Sequence, residues 1–252
     1  MTAPIALQLY SVREAMAQDF AGVVRQVAAM GYVGVEPIYK LPGTTNEAAA
    51  ALFRELGLAV PSAHVPLPLG EDEAGVVEFM EMFGSTRIIS GKGPADFDTL
   101  EKAKQTCELF NQASAAAQRH GYTFGIHNHW WEYLQVEGRY IYEVMLEQLD
   151  PAVFFEIDTY WVKAAGVDPV EVVRKMGSRA PILHIKDGPA VKSEPMTAVG
   201  DGILDFHSII SAGAGITEWQ IVELDRCATD MMEAVKKSYD YLVGQGLARG
   251  KR

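Results

Sequence analysis

Four short segments end in residues that bind metals or move protons: His127-Asn128-His129-Trp130-Trp131-Glu132, Glu156-Ile157-Asp158, His184-Ile185-Lys186-Asp187 and Glu223-Leu224-Asp225. A histidine with two or three carboxylates makes a mixed nitrogen and oxygen site. It suits one divalent ion such as Mn²⁺, Mg²⁺, Co²⁺ or Zn²⁺ and offers no thiolate to softer metals. Carboxylates crowded at the end of an apolar barrel repel one another, and a divalent cation removes that penalty. Taken singly, each residue has a plainer use. A lone His at a strand end is an ordinary hydrogen-bonded histidine, and Asp158, placed before Thr159, is also a helix cap. Recurrence at four successive strand ends is what argues for an ion. Asp187 and Asp225 read as loop or supporting residues.

Groups so far apart in the chain need a scaffold that brings strand ends together. Short apolar runs alternate with amphipathic stretches about eight times. Strands are expected at 5–9, 33–36, 58–64, 87–90, 122–127, 153–157, 181–185 and 219–224. Helices are expected at 20–30, 46–56, 71–83, 98–120, 140–146, 169–176, 206–211 and 231–242. Several helices stop at glycine, the residue that takes the left-handed cap. The strands are continuous apolar runs, as parallel strands covered on both faces are. Nearly every one ends in a polar residue: Gln8, Glu36, His64, Ser90, His127, Asp158, His184 and Glu223. An open sheet gathers its site at one switch point, whereas a closed barrel gathers it from all its strand ends. The expected fold is therefore a (β/α)₈ TIM barrel forming one domain over residues 1–252, with 1–4 and 244–252 frayed.

The totals agree with that. A length of 252 residues suits one α/β barrel, and 48% hydrophobic with 22% charged residues gives a normal core. The formal net charge of -11 argues against a nucleic-acid surface. Cys107 and Cys227 form no metal or disulfide pattern. The Met-Thr-Ala-Pro start lacks a signal-peptide pattern, and no apolar run approaches about 18 residues. The expectation is a cytoplasmic protein without a membrane span. No glycine-rich dinucleotide fingerprint follows any strand.

Further segments make the pattern more specific. Leu7-Gln8-Leu9-Tyr10-Ser11-Val12-Arg13, Gly31-Tyr32-Val33-Gly34-Val35-Glu36, Ser62-Ala63-His64-Val65, Glu156-Ile157-Asp158-Thr159-Tyr160-Trp161 and Gly200-Asp201-Gly202-Ile203-Leu204-Asp205 stand in order with the segments above. Together they resemble the xylose isomerase-like sugar phosphate isomerase/epimerase family from Ala6 to about Leu242. That superfamily also holds ketose 3-epimerases, inosose dehydratases and endonuclease IV-type enzymes. The resemblance implies metal ligands Asp158, His184 and Glu223. The fourth is Glu132, reaching back from the segment after strand five, with His127 or His129 as the other choice, since the 3-epimerases carry a Glu where this chain has His127.

The chemistry so implied is proton removal next to the carbonyl of a sugar or keto-sugar through a metal-stabilised enediolate. Glu132 and Glu223 would remove and return the proton. His64, His127, His129, Trp161 and Lys186 would bind substrate. Lys186 has the equal alternative of an ion pair with Asp187 or another carboxylate. The alternative reaction is a lyase acting on an inosose or 3-keto-glycoside through the same enolate. Tyr10, Trp130, Trp131, Tyr160 and Trp161 could wall a sugar pocket, pack the barrel top, or form a homo-oligomer interface. Arg13 is the only arginine obviously near the mouth, so a neutral sugar is preferred over a phosphate. A nuclease is disfavoured by six histidines and the acidic balance.

Overall fold

The computed structural model describes residues 2–251. Eight parallel strands are ordered by their hydrogen bonds. They are β1 (Ile5–Gln8), β2 (Gly34–Glu36), β3 (Ala63–His64), β4 (Arg87–Ser90), β5 (Thr123–His127), β6 (Phe154–Asp158), β7 (Ile182–Ile185) and β8 (Trp219–Val222). Each pairs with its neighbours in sequence, and β8 returns to β1, where Ile5 faces Gln220. Between β2 and β3 the ladder thins to parallel bridges at Gly34 with Ala59 and Ile38 with His64. This is a (β/α)₈ barrel. Helices α1 (Arg13–Met30), α2 (Asn46–Leu56), α3 (Glu73–Phe83), α4 (Leu100–Arg119), α5 (Ile141–Gln148), α6 (Thr159–Ala164), α7 (Pro169–Met176), α8 (Phe206–Ala212) and α9 (Met231–Gly244) stand between and after the strands.

The alternation of strand side chains divides the core in two. Outward residues such as Ile5, Leu7, Leu183 and Ile185 join the main core beneath the helices. Inward residues Ala6, Ile89, Phe154, Ile182 and Ile221 form a separate apolar plug. One step further along the strands, the same inward face carries Gln8, Glu36, His64, His127, Glu156, His184 and Glu223. The chain thus builds a dry floor and sets its titratable groups on it, where low polarity strengthens every charge interaction. Gly125 makes room for the plug. A Cβ there would meet the Phe154 ring at 2.3 Å. Gly125→Ala is expected to cost about 1–3 kcal/mol in urea unfolding, since overpacking forces the ring off its rotamer; an unchanged midpoint would mean that the plug yields freely.

Two expectations need correction. The third strand is two residues long, not 58–64, because Pro61 lacks an N–H and interrupts the ladder. The ends are not frayed within the described residues. Pro4 bridges Arg249, Arg249 N donates to Ala3 O at 2.9 Å, and Leu247 and Ala248 are buried. The tail adds backbone hydrogen bonds to the N-terminal strand, which fixes both. Met1 and Arg252 belong to the expected frayed ends and lie outside the described residues.

Candidate metal and proton-transfer site

The strand ends converge at the C-terminal mouth, where barrel sites form. Ligand atoms of His127, Asp158, His184 and Glu223 all lie within 4.8 Å of one another, and all four residues are buried. His64, His127, Glu156 and His184 form a second such group. Asp158 serves two uses at once. Its Oδ1 accepts from Trp161 N at 2.9 Å and caps α6, while its buried Oδ2 faces the Lys186 ammonium at 2.9 Å. Glu132 stands outside both groups. The short turn Trp131–Tyr133 carries it, its Oε2 accepts from His129 N at 2.9 Å, and its buried Oε1 has no partner. His127 occupies the fourth corner.

Lys186 sits among the carboxylates. Its Nζ lies 2.6 Å from Glu223 Oε2, 2.9 Å from Asp158 Oδ2 and 3.0 Å from Asp225 Oδ2, and the residue is 1% exposed. Asp187 is not its partner. Burial alone would lower the lysine, but Asp158, Glu223 and Asp225 hold it well above its ordinary range. Burial would raise Glu223, and Lys186 with His184 keeps it below the usual carboxylate range. Asp158 is pushed up to about 6 by burial, against the pull of Lys186. Glu132, without a cation against it, is pushed up to about 8 by burial.

Beneath them lies a layer of paired histidines. His184 Nε2 is 2.9 Å from Glu36 Oε2 and 3.1 Å from Glu156 Oε2, while its Nδ1 is 2.9 Å from Glu223. His64 Nε2 is 2.6 Å from Glu156, and burial is overridden there by Glu36 and Glu156, which hold it at about 10. His184 is raised for the same reason. His127 is held low by burial and then by the neighbouring positive charges. A neutral His127 donating from Nδ1 to Glu156, 3.0 Å away, turns the lone pair of Nε2 towards Asp158 Oδ2, 3.7 Å away. His129 is held at about 3 by burial and stacks on Trp131 at 4.1 Å.

These residues fit a divalent cation. One buried oxygen each of Glu132 and Glu156 lacks any hydrogen-bond partner. Five acidic groups (Glu36, Glu156, Asp158, Glu223, Asp225) share three cationic ones (His64, His184, Lys186), an imbalance that an ion offsets.

Glu36 and Glu156 carried no role in the sequence reading. The signal for Glu156 was available, since residues two apart on a strand share a face and Asp158 had been singled out. A cavity of about 410 Å³ opens above the layer and touches Tyr10, His64, His127, His129 and Glu223. Trp161 and Lys186 do not line it. The Trp161 indole N–H is buried without a partner, and the Trp130 ring is covered by Lys192 Nζ at 3.8 Å.

The loop after β7 is tied down by Asp187. Its Oδ1 accepts from Gly188 N and Leu204 N, at 2.8 and 3.2 Å. Its Oδ2 accepts from Gly200 N and Gly202 N, at 2.9 and 3.1 Å. Asp187→Asn should leave two of these amides facing an NH₂ group and cost about 2–3 kcal/mol. Hydrogen exchange should rise first at Gly200 and Gly202; unchanged protection there would refute the tie.

A family model described as xylose isomerase-like TIM barrel matches residues 24–242. A solved sugar phosphate isomerase/epimerase from Parabacteroides distasonis ATCC 8503 is 26% identical. The match has a TM-score of 0.82 and covers 99% of this chain and 96% of that one. An L-ribulose 3-epimerase is 16% identical, with a TM-score of 0.69 and coverage of 97% of this chain and 94% of that one. The IolI protein, solved with a bound zinc atom, is 16% identical, with a TM-score of 0.73 and coverage of 97% of each chain. At these last two identities the likeness is one of fold. No curated protein matches. No helix among the described residues is long and apolar enough to cross a membrane.

Proposed function

The chain belongs to the xylose isomerase-like TIM barrel family, and from that premise we propose an isomerase or epimerase that moves a proton next to the carbonyl of a sugar or keto-sugar. The observation that carries this reading is the convergence of His127, Asp158, His184 and Glu223 beside the Lys186 ammonium. Asp158, His184 and Glu223, with His127 or Glu132, would hold one divalent ion of the Mn, Mg, Co or Zn type. Such an ion supplies Lewis-acid polarisation of a carbonyl.

The chain's own groups divide the proton work. Two carboxyls whose surroundings push them apart mark an acid and a base. Glu223, kept ionised by Lys186, takes the proton from the carbon. Glu132, protonated at neutral pH, returns one from its own side. Lys186 lies behind the cavity wall, and its ammonium keeps Glu223 ionised and so ready to act as the base. Glu36 and Glu156 fix the ring of His184 through Nε2. Its Nδ1 is the nitrogen left to hold an ion, and would do so as the unprotonated lone pair.

A lyase is the second reading. A carboxyl protonated at pH 7, as Glu132 is, can also protonate a departing hydroxyl. Incubating the metal-loaded protein with a panel of ketoses in D₂O and following ¹H NMR tests both. Epimerisation leaves deuterium beside the carbonyl of an intact sugar, and elimination gives an unsaturated product. Chelation should slow either at least tenfold, in line with general acid–base and metal contributions of about 10²-fold or more. No exchange with any ketose and any of the four ions would refute the proposal.

A further inference from the structure

We infer that the substrate is an uncharged hydroxylated ring carrying an apolar group, and not a sugar phosphate; this rests on the function proposed above. The cavity wall is of two kinds: the loops after β1, β2 and β3 supply Tyr10, Ile38, Tyr39, Val65 and Pro66, while His64, His127, His129, Glu223 and Asp225 supply titratable groups. A substrate that puts its reacting carbonyl over the cluster lays its other end on apolar side chains.

A phosphate finds no seat. Among the described residues that line the cavity there is no lysine or arginine. Arg13, the arginine beside the mouth, is already committed. Its Nη1 donates to Tyr10 O at 2.7 Å, its Nη2 donates to Asp225 O at 3.0 Å, and its guanidinium lies 3.9 Å over the Tyr10 ring. Lys186 is held by three carboxylates.

Barrels that bind phosphates use backbone amides of the loops after strands seven and eight, with a short helix N-terminus. Here that seat is filled from within. The amides of Gly188, Gly200, Gly202 and Leu204 all donate to the Asp187 carboxylate. At the start of α8, Ser208 N donates to Asp205 Oδ1 at 3.1 Å. The chain's own carboxylates occupy the donors that a phosphate would need, and they repel it.

The test is isothermal titration of the full Mn²⁺-loaded chain with three forms of each common hexose: the free sugar, its phenyl glycoside and its 6-phosphate. For the hexose that binds best, the phenyl glycoside should bind at least about tenfold tighter than the free sugar, because the ring leaves water against the apolar side chains. The 6-phosphate should be the weakest. Tyr10→Ser and Ile38→Ser should each shrink the phenyl preference to about twofold; Tyr10 is 38% exposed, so its replacement leaves the core intact. Tightest binding of a 6-phosphate, equal binding of sugar and phenyl glycoside, or no phenyl glycoside binding at millimolar concentration would each overturn the inference. Deuterium exchange with ketoses alongside any of these results would leave the proposed reaction standing. A phenyl preference without any exchange would do the reverse.

Discussion

Replacing Lys186 by methionine is expected to destabilise the metal-free protein by about 3–5 kcal/mol at pH 7, the usual cost of leaving a buried charge without its partner. Three carboxylates lie within 3.0 Å of this ammonium, and two of them belong to residues that are fully buried or nearly so. Methionine fills the volume but leaves Asp158 and Glu223 facing each other. Divalent ions should act with the opposite sign. Ammonium and metal compete for the same two carboxylates, so the variant should bind Mn²⁺ or Zn²⁺ more tightly than the parent and regain much of its lost stability. Catalysis should not return with the ion. Without the ammonium the ion alone would claim Glu223, the base, and a general-base contribution of about 10²-fold or more would be lost. Urea unfolding in chelator and again with Mn²⁺ reads the first two effects, and deuterium exchange reads the third. A variant as stable as the parent in chelator would mean that the carboxylates are not ionised together, and the picture of a charge-deficient site would fail.

What could be read from the chain in advance follows the reach of each signal. Local signals were sufficient for α2 and α7, whose bounds agree with the expected 46–56 and 169–176. Thr45 caps the first and Gly57 stops it in the left-handed conformation. Asp168 and Pro169 open the second. The barrel itself followed from the run of strands and their polar ends. Helix α6 was missed because it has six residues and its cap is Asp158, a residue already read as a ligand. Glu36 was named as a polar strand end but given no role, and Glu156 was passed over because it lies inside a strand read as a continuous apolar run, whereas the inward face alternates with the outward one and turns polar near its end. The fourth corner is harder still. Whether His127 or Glu132 meets Asp158 depends on the turn Trp131–Tyr133, whose conformation is set by packing and by the His129 amide. Nothing in the spacing of five residues fixes that.

The position of Glu132 makes its own prediction, and the sign can be worked out. In the metal-free fold its carboxyl titrates near 8 instead of 4.5, because burial penalises the charge. The unfolded chain therefore gives up this proton while the folded protein keeps it. The contribution of Glu132 to stability is lost as pH rises from about 4.5 to about 8, at about 1.4 kcal/mol per pH unit, on the order of 5 kcal/mol in all. Glu132→Gln keeps the shape and never ionises. Without metal, the variant should match the parent below pH 4.5 and exceed it by that order at pH 8 and above. Taking the difference between the two proteins cancels every other titrating group that the change leaves alone. Metal then separates the two candidate corners. If Glu132 reaches the ion, the parent releases a proton on binding near pH 7, and Glu132→Gln weakens binding more than about tenfold. If His127 completes the set, Glu132→Gln keeps its ion, and His127→Ala loses it. A stability difference that stays flat from pH 4 to pH 9 would show that the carboxyl is already ionised in the fold, and its use as the proton-returning acid would fall.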